Sequence, residues 1–238
     1  MAIVSDQGIV LKGTKLGEAD KILDILTSGR GLVRAIARGI RKPGSRFGAR
    51  LEPATLVDIR LYEGRRLDTI SAAEIVEAYR GLRADYDAFA AAMVLCEAAA
   101  SIAAEGERNP ALFLLLRRGL RALDGGAEPT MLTSAFLLQL LRISGFAPAL
   151  DACVVTGARE ALHWFDVSAG GVVSAPARRP QSFRLREGTR ETLDAWLLAD
   201  LSALSTVTAP VAAEAGALVR RLVEHHLERR LRSLAVSP

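Results

Sequence analysis

Five short apolar runs crowd into the first 78 residues: Gly8–Lys12, Lys21–Thr27, Leu32–Arg38, Ala54–Tyr62 and Leu67–Ser71. Parallel neighbours would need crossovers of a dozen or more residues, usually helices, and no helical pattern of that length interrupts the series. Glycine-bearing turns separate the runs instead, among them the tight hairpin signal Ser28-Gly29-Arg30-Gly31. Five short strands with exposed edges are best served by closing on themselves, so a small barrel is expected. At about Leu82 the apolar period changes to that of helices. The chain is therefore α+β, with a barrel domain over 1–80 and a helical domain over 81–238, and its 238 residues suffice for a substantial core.

In the helical part, Tyr86, Phe89, Met93 and Ala100 share one face of an alanine-rich helix that Gly106 ends. Asn109-Pro110 is an N-cap and first-turn pair, and Leu112, Leu116, Leu120 and Leu123 form the next stripe. Arg117, Arg118 and Arg121 lie off that stripe, on an expected solvated face. Met131–Ile143 is apolar nearly all round and should be a buried central helix. Residues 148–188, rich in Gly, Pro, Ser and Ala, form an irregular insertion or small hairpin, with β-like runs at Cys153-Val-Val and Gly171-Val-Val. Helix returns at Thr189–Leu198. A last helix from Val211 to about Leu234 carries Val219, Val223, Leu227 and Leu231, surrounded by Arg220, Arg221, Arg229, Arg230 and Arg232.

Between the third and fourth runs the charge is one-sided. Basic residues fall at Arg30, Arg34, Arg38, Arg41, Lys42, Arg46 and Arg50, with no acid among them, although the net charge is only +4. Alternation places Leu32, Arg34, Ile36 and Arg38 on one face of a strand and Val33, Ala35 and Ala37 on the other. Gly39 ends the strand, and Pro43-Gly44 makes a turn. Such a cluster suits a row of phosphates, which several cations bind while releasing condensed counterions; a solvated basic loop is the plainer alternative.

Motifs for catalysis are missing. No phosphate-binding Gly-x-x-x-x-Gly-Lys loop, nucleophile elbow or His-Glu-x-x-His sequence occurs. The neighbouring His225 and His226 would point about 100° apart on a helix, poorly placed to chelate one ion. Asp20, Asp24, Asp58 and Asp68 are expected to cap turns and carry surface charge. A non-enzyme is expected. Two distant cysteines, Cys96 and Cys153, imply no disulfide framework. The N-terminus lacks a signal-peptide pattern and the apolar runs are too short to span a bilayer, so a cytoplasmic protein is expected.

Taken in order, Gly8-Ile-Val-Leu, Gly17-Glu-Ala-Asp, Thr27, Gly31, Ala37-Arg-Gly-Ile-Arg, Ser45-Arg-Phe-Gly and Leu51-Glu-Pro resemble the N-terminal domain of the RecO recombination-mediator family. The likeness continues through Leu67–Tyr79, Ala135-Phe-Leu-Leu-Gln-Leu-Leu, Gly145-Phe-Ala-Pro-Ala-Leu-Asp and His226-Leu-Glu-Arg-Arg-Leu-Arg-Ser. It implies a five-stranded oligonucleotide/oligosaccharide-binding (OB) barrel, then a helical domain, and a non-enzymatic role in recombinational DNA repair. It further implies binding of single- and double-stranded DNA, annealing of complementary strands, and RecA loading together with RecR and RecF on strands coated by single-strand-binding protein. The DNA contacts it implies are Arg34, Arg38, Arg41, Lys42 and Arg46, acting on phosphates without reading sequence. An acidic, hydrophobic tail of single-strand-binding protein could dock on the apolar helices around Ala111–Leu123 and Met131–Ile143, with Arg117, Arg118 and Arg121 as charge partners. A protein-interaction adaptor, whose basic loop meets an acidic partner, is the competing reading.

The chain departs from the family in one place. Many members carry two Cys-x-x-Cys pairs for zinc after the Gly-Phe-Ala-Pro motif, whereas here only Cys153 remains, followed by Val-Val-Thr156-Gly157. A structural zinc takes four ligands; His163 could add one more. The expectation is a degenerate, zinc-free ribbon-like insertion held by Trp164, Phe165 and Val173, with no cofactor and with Cys153 as a small buried hydrophobe. Stacking aromatics are also few in the barrel (Phe47, Tyr62 and Tyr79), so charge should dominate DNA binding and leave base edges free to pair.

Overall fold

β1 (Ile3–Leu16) is the strand on which the barrel closes. Its first part, Ile3–Ile9, pairs antiparallel with β4 (Leu56–Tyr62), and its second, Gly8–Leu16, with β2 (Asp20–Thr27). A register shift between Val10 and Lys12 marks the bulge that bends it from one neighbour to the other. With β3 (Gly31–Ala37) and β5 (Asp68–Glu77) the closed order is β1-β2-β3-β5-β4. The computed structural model describes residues 2–199, 201, 204 and 207–226. These residues fall into two compact units, one through Ala127 and the other from Glu128.

The five strands stand where the sequence predicts them, and the α+β class holds. β1 is far longer than the run Gly8–Lys12, because its ends carry polar residues on strand positions and lack an apolar signal. In β3, Val33, Ala35 and Ala37 are buried while Arg34 and the following Arg38 face out, as period-two alternation requires. The core gathers Val10, Leu23, Ile25, Val33, Val57, Ile59, Leu61 and Ile70, together with Ile40, Phe47 and Leu51 from the long β3–β4 loop. Gly31 (φ +69°) must be glycine: a Cβ there would lie 1.9 Å from the Glu107 carbonyl oxygen.

Helices α1 (Arg80–Ala84), α2 (Tyr86–Ile102) and α3 (Pro110–Asp124) share the barrel's unit. The predicted face of α2 is wrong. Tyr86 is 74% exposed, and the buried residues are Ala88, Ala91, Ala92, Val94, Leu95, Cys96, Ala98 and Ala99. Small side chains make up most of the buried face and let neighbouring backbones approach closely, while Tyr86 is exposed and Phe89 and Met93 are only partly buried. The α3 reading holds: Asn109 accepts the Leu112 N–H at 3.0 Å, and Leu112, Leu116, Leu120 and Leu123 are buried.

In the second unit α4 (Pro129–Ile143) is the buried helix expected, capped by the Glu128 carboxylate. Residues 148–188 hold a small sheet, β6 (Trp164–Asp166), β7 (Gly171–Val173) and β8 (Phe183–Arg184), in the order β7-β6-β8. The run Cys153-Val-Val is a turn rather than a strand, with Val155 exposed. α5 (Thr189–Leu198) matches its prediction, and α6 (Ala209–His226) buries Val219 and Val223. Leu227, Leu231, Arg229, Arg230 and Arg232 lie outside the described residues.

Candidate nucleic-acid interface

The basic loop is pinned to the barrel from both sides. Its start docks on the β1–β2 turn: the Arg41 N–H donates to Ala19 O at 2.9 Å, the Arg41 guanidinium to Gly17 O at 2.9 Å, and the Gly39 N–H to the Asp20 carboxylate at 2.7 Å. Farther along, Phe47 and Leu51 are 1% and 0% exposed in the barrel core. With its apolar residues turned inward, the loop holds its cations outward. Arg38, Arg41, Lys42, Arg46 and Arg50 are exposed, and none has a carboxylate at ion-pair distance among the described residues.

Arg34 stands apart from the other predicted contacts. It pairs with Asp24 at 3.3 Å and Glu105 at 3.8 Å, so its charge is largely neutralised. Arg30 is likewise held by Asp68 at 3.1 Å and Glu63 at 3.7 Å. The expectation of a cluster without counter-ions is therefore corrected for these two, because the antiparallel register sets Asp24 directly opposite Arg34. Lys15, exposed at the end of β1 and opposite Lys21, joins the same rim. Sequence reasoning missed it; the β1–β2 register is what reveals it. The acids behave as capping and pairing groups: Asp24 also binds Lys12, and Asp58 accepts from the Gln7 amide.

Stacking surface is scarce at this rim. Phe47 and Tyr79 belong to the core, while Arg46 lies 4.9 Å over the Phe47 ring. Tyr62 is 41% exposed but sits on β4, paired with Ile3.

Of the three arginines of α3, two have an internal partner. Arg117 and Arg121 each place nitrogens 2.6 Å from the Glu77 carboxylate. Hydrogen bonds from Arg121 first, then from Arg117, overcome the partial burial of Glu77 and hold its carboxyl down at about 2. Arg118 is exposed.

A family model described as "Recombination protein O N terminal" matches residues 1–79, and one described as "Recombination protein O C terminal" matches 83–235. The chain belongs to the RecO family. It is 43% identical to the DNA repair protein RecO of Nocardioides sp. over 97% of both chains. It is 41% identical to that of Frankia casuarinae and 40% identical to that of Cutibacterium acnes, each over 98% of both chains. RecO membership supports a role in DNA repair for this chain. No helix among the described residues is long and apolar enough to cross a membrane.

The zinc site of many RecO proteins does not fit the residues found here. Cys153 is buried, and its Sγ accepts the Ser174 N–H at 3.2 Å. Burial alone would raise the thiol, but hydrogen bonds from Thr156 and Ser174 outweigh it and bring the thiol down to about 6. The groups gathered round the sulfur are thus hydroxyls and N–H donors, not the nitrogen and sulfur ligands that zinc takes. His163 lines a cavity whose walls do not include Cys153. Cys153 is as buried as expected yet is a hydrogen-bond acceptor and no mere apolar filler. Phe165 and Val173 are buried as predicted, whereas Trp164 is partly exposed, with the Arg178 guanidinium 4.8 Å over its ring.

Proposed function

We infer that this chain is a non-enzymatic recombination mediator that binds single- and double-stranded DNA on the barrel rim and anneals complementary strands. The observation carrying this reading is the rim itself: Arg38, Arg41, Lys42 and Arg46 are exposed, unpaired with carboxylates among the described residues, and fixed by a loop anchored in the core. Phosphate contacts of this kind position a strand without reading it. Because the rim offers no exposed aromatic, bases stay unstacked by protein and free to pair. Arg34 contributes less, since Asp24 and Glu105 already hold it.

In this role the chain acts with RecR and RecF to load RecA on strands coated by single-strand-binding protein, in the cytoplasm at the nucleoid. Arg118 is the α3 cation best suited to the acidic tail of single-strand-binding protein, because Arg117 and Arg121 are engaged by Glu77. The remnant module works without zinc, its turn held by hydrogen bonds to Cys153. The deciding experiment compares strand binding and annealing by the intact protein with Arg38→Glu/Arg41→Glu/Lys42→Glu, folding being checked by circular dichroism. Loss of both activities in a folded variant supports the reading. Unchanged activity places DNA elsewhere and favours an acidic protein partner for the loop. For four phosphate contacts, the logarithmic salt slope on single strands is about −3; a slope near zero contradicts a charge-dominated interface.

A further inference from the structure

The second unit has an arginine cluster that none of the preceding features uses. A cavity of about 600 Å³ opens where residues 159–163, the end of β8 and the start of α5 meet, and Arg159, Arg184, Arg186 and Arg190 all line it. Two of them have partners. Arg190 binds Glu191 at 2.8 Å and Leu150 O at 3.4 Å, and Arg186 lies 3.7 Å from Glu214. Arg159 and Arg184 are exposed and without a carboxylate at ion-pair distance among the described residues. Besides the arginines, His163 and the carboxylates of Glu187 and Glu191 line the cavity. Glu191 is held ionised below its ordinary value by its own N–H, by Arg190 and by the Gly188 N–H. The Glu191 carboxylate, paired with Arg190, thus already lies among the arginines of the cavity.

The neighbouring surface distinguishes a nucleic-acid strand from a small anion. Arg184 is the direct cross-strand partner of Trp164, and such partners share a face with Cβ atoms about 5 Å apart. The Trp164 ring is partly exposed and carries Arg178 on it. Cations for phosphates beside an aromatic plane for a base is the combination by which single strands are held. The barrel rim has only the first of these.

We propose that the β6–β8 sheet and the start of α5 form a second strand-binding surface, taking phosphates in the arginine-lined cavity and a base against Trp164. This rests on the DNA-binding reading above, and the test separates the two. Of the chain's two tryptophans, Trp196 is 2% exposed, so quenching by a bound strand reports on Trp164. A thymidine oligomer quenches the fluorescence of the full-length protein, and Trp164→Phe abolishes that quenching. Arg159→Glu/Arg184→Glu weakens the quenching isotherm about tenfold, as expected for two lost phosphate contacts. Glu191→Gln, which removes the competing carboxylate, tightens it about twofold. The rim variant Arg38→Glu/Arg41→Glu/Lys42→Glu, which has lost most of its strand affinity, still shows quenching once the oligomer is raised about a hundredfold in concentration.

Binding seen by anisotropy of a labelled strand, with no quenching, overturns the second surface and leaves the mediator reading intact. Absence of any binding by anisotropy overturns the mediator reading instead. Two further results also refute the proposal: inorganic phosphate at matched ionic strength displacing the oligomer as well as an unlabelled strand does, or an acidic peptide quenching as strongly as the oligomer.

Discussion

The first unit contains two arginine clusters, on the β3–β4 loop and on α3, and the fold treats them in opposite ways. On α3, Glu77 at the end of β5 receives both Arg117 and Arg121 at 2.6 Å, so the charges lock a helix to the barrel and are used up within the molecule. On the loop, Asp20 from the adjoining turn is engaged with the Gly39 N–H and Glu52 with Lys21, and Arg38, Arg41, Lys42 and Arg46 have no carboxylate at ion-pair distance among the described residues. Composition does not separate the two clusters. What separates them is whether a carboxylate from a distant strand is delivered to the spot.

This contrast can be broken at its anchor. Phe47→Ala removes a fully buried ring from beneath the loop and is expected to cost about 3–5 kcal/mol in urea unfolding; a loss below 1 kcal/mol would mean that the loop is not held by its core residues. Reversing Arg38, Arg41 and Lys42 is expected to lower single-strand affinity about a hundredfold at low salt with the thermal midpoint nearly unchanged. The equivalent change on α3 behaves the other way. Glu77→Gln destabilises by about 1–2 kcal/mol, discounted because Arg121 is half exposed, and leaves DNA affinity alone.

The sign with pH follows from Glu77. Its carboxyl is depressed to about 2 in the fold, against about 4.3 in an unfolded chain. The stabilisation is therefore complete above that unfolded value and is lost as pH falls toward 2, where wild type and Glu77→Gln should unfold alike. Smaller still, Arg34→Ala should change strand affinity by about twofold or less, since that residue's charge is already paired. If the insertion is zinc-free as proposed, addition of a chelator should shift the midpoint by less than about 1 °C.

Much of this was legible in the chain. Alternation in Gly31–Ala37 gave the inward and outward faces of β3, and Asn109-Pro110 placed the start of α3, because both signals are local. The long β1 was not legible, since its ends mix polar and apolar residues and are strands only through their partners β2 and β4. The buried face of α2 was misjudged for a related reason: in an alanine-rich helix, close approach selects the small residues, and size ceases to mark the core. The site divided along the same line. The exposed basic run of Arg38, Arg41, Lys42 and Arg46 is legible in its own segment, while the pairing of Arg34 with Asp24, and of Arg117 and Arg121 with Glu77, depends on register and tertiary contact. Thr156 and Ser174 meet at Cys153 only in three dimensions.

One strand shared between two neighbours also sets an order of events as the chain is made. β1, β2 and β3 can pair as soon as they leave the ribosome, but the first part of β1 has no partner until Tyr62 can meet Ile3. At about 5–20 residues per second, that interval lasts on the order of a second or more, with a bare strand edge facing the cell. The segment synthesised during that wait is the basic loop. Its repelling charges, next to an unclosed sheet, discourage two nascent chains from pairing edge to edge.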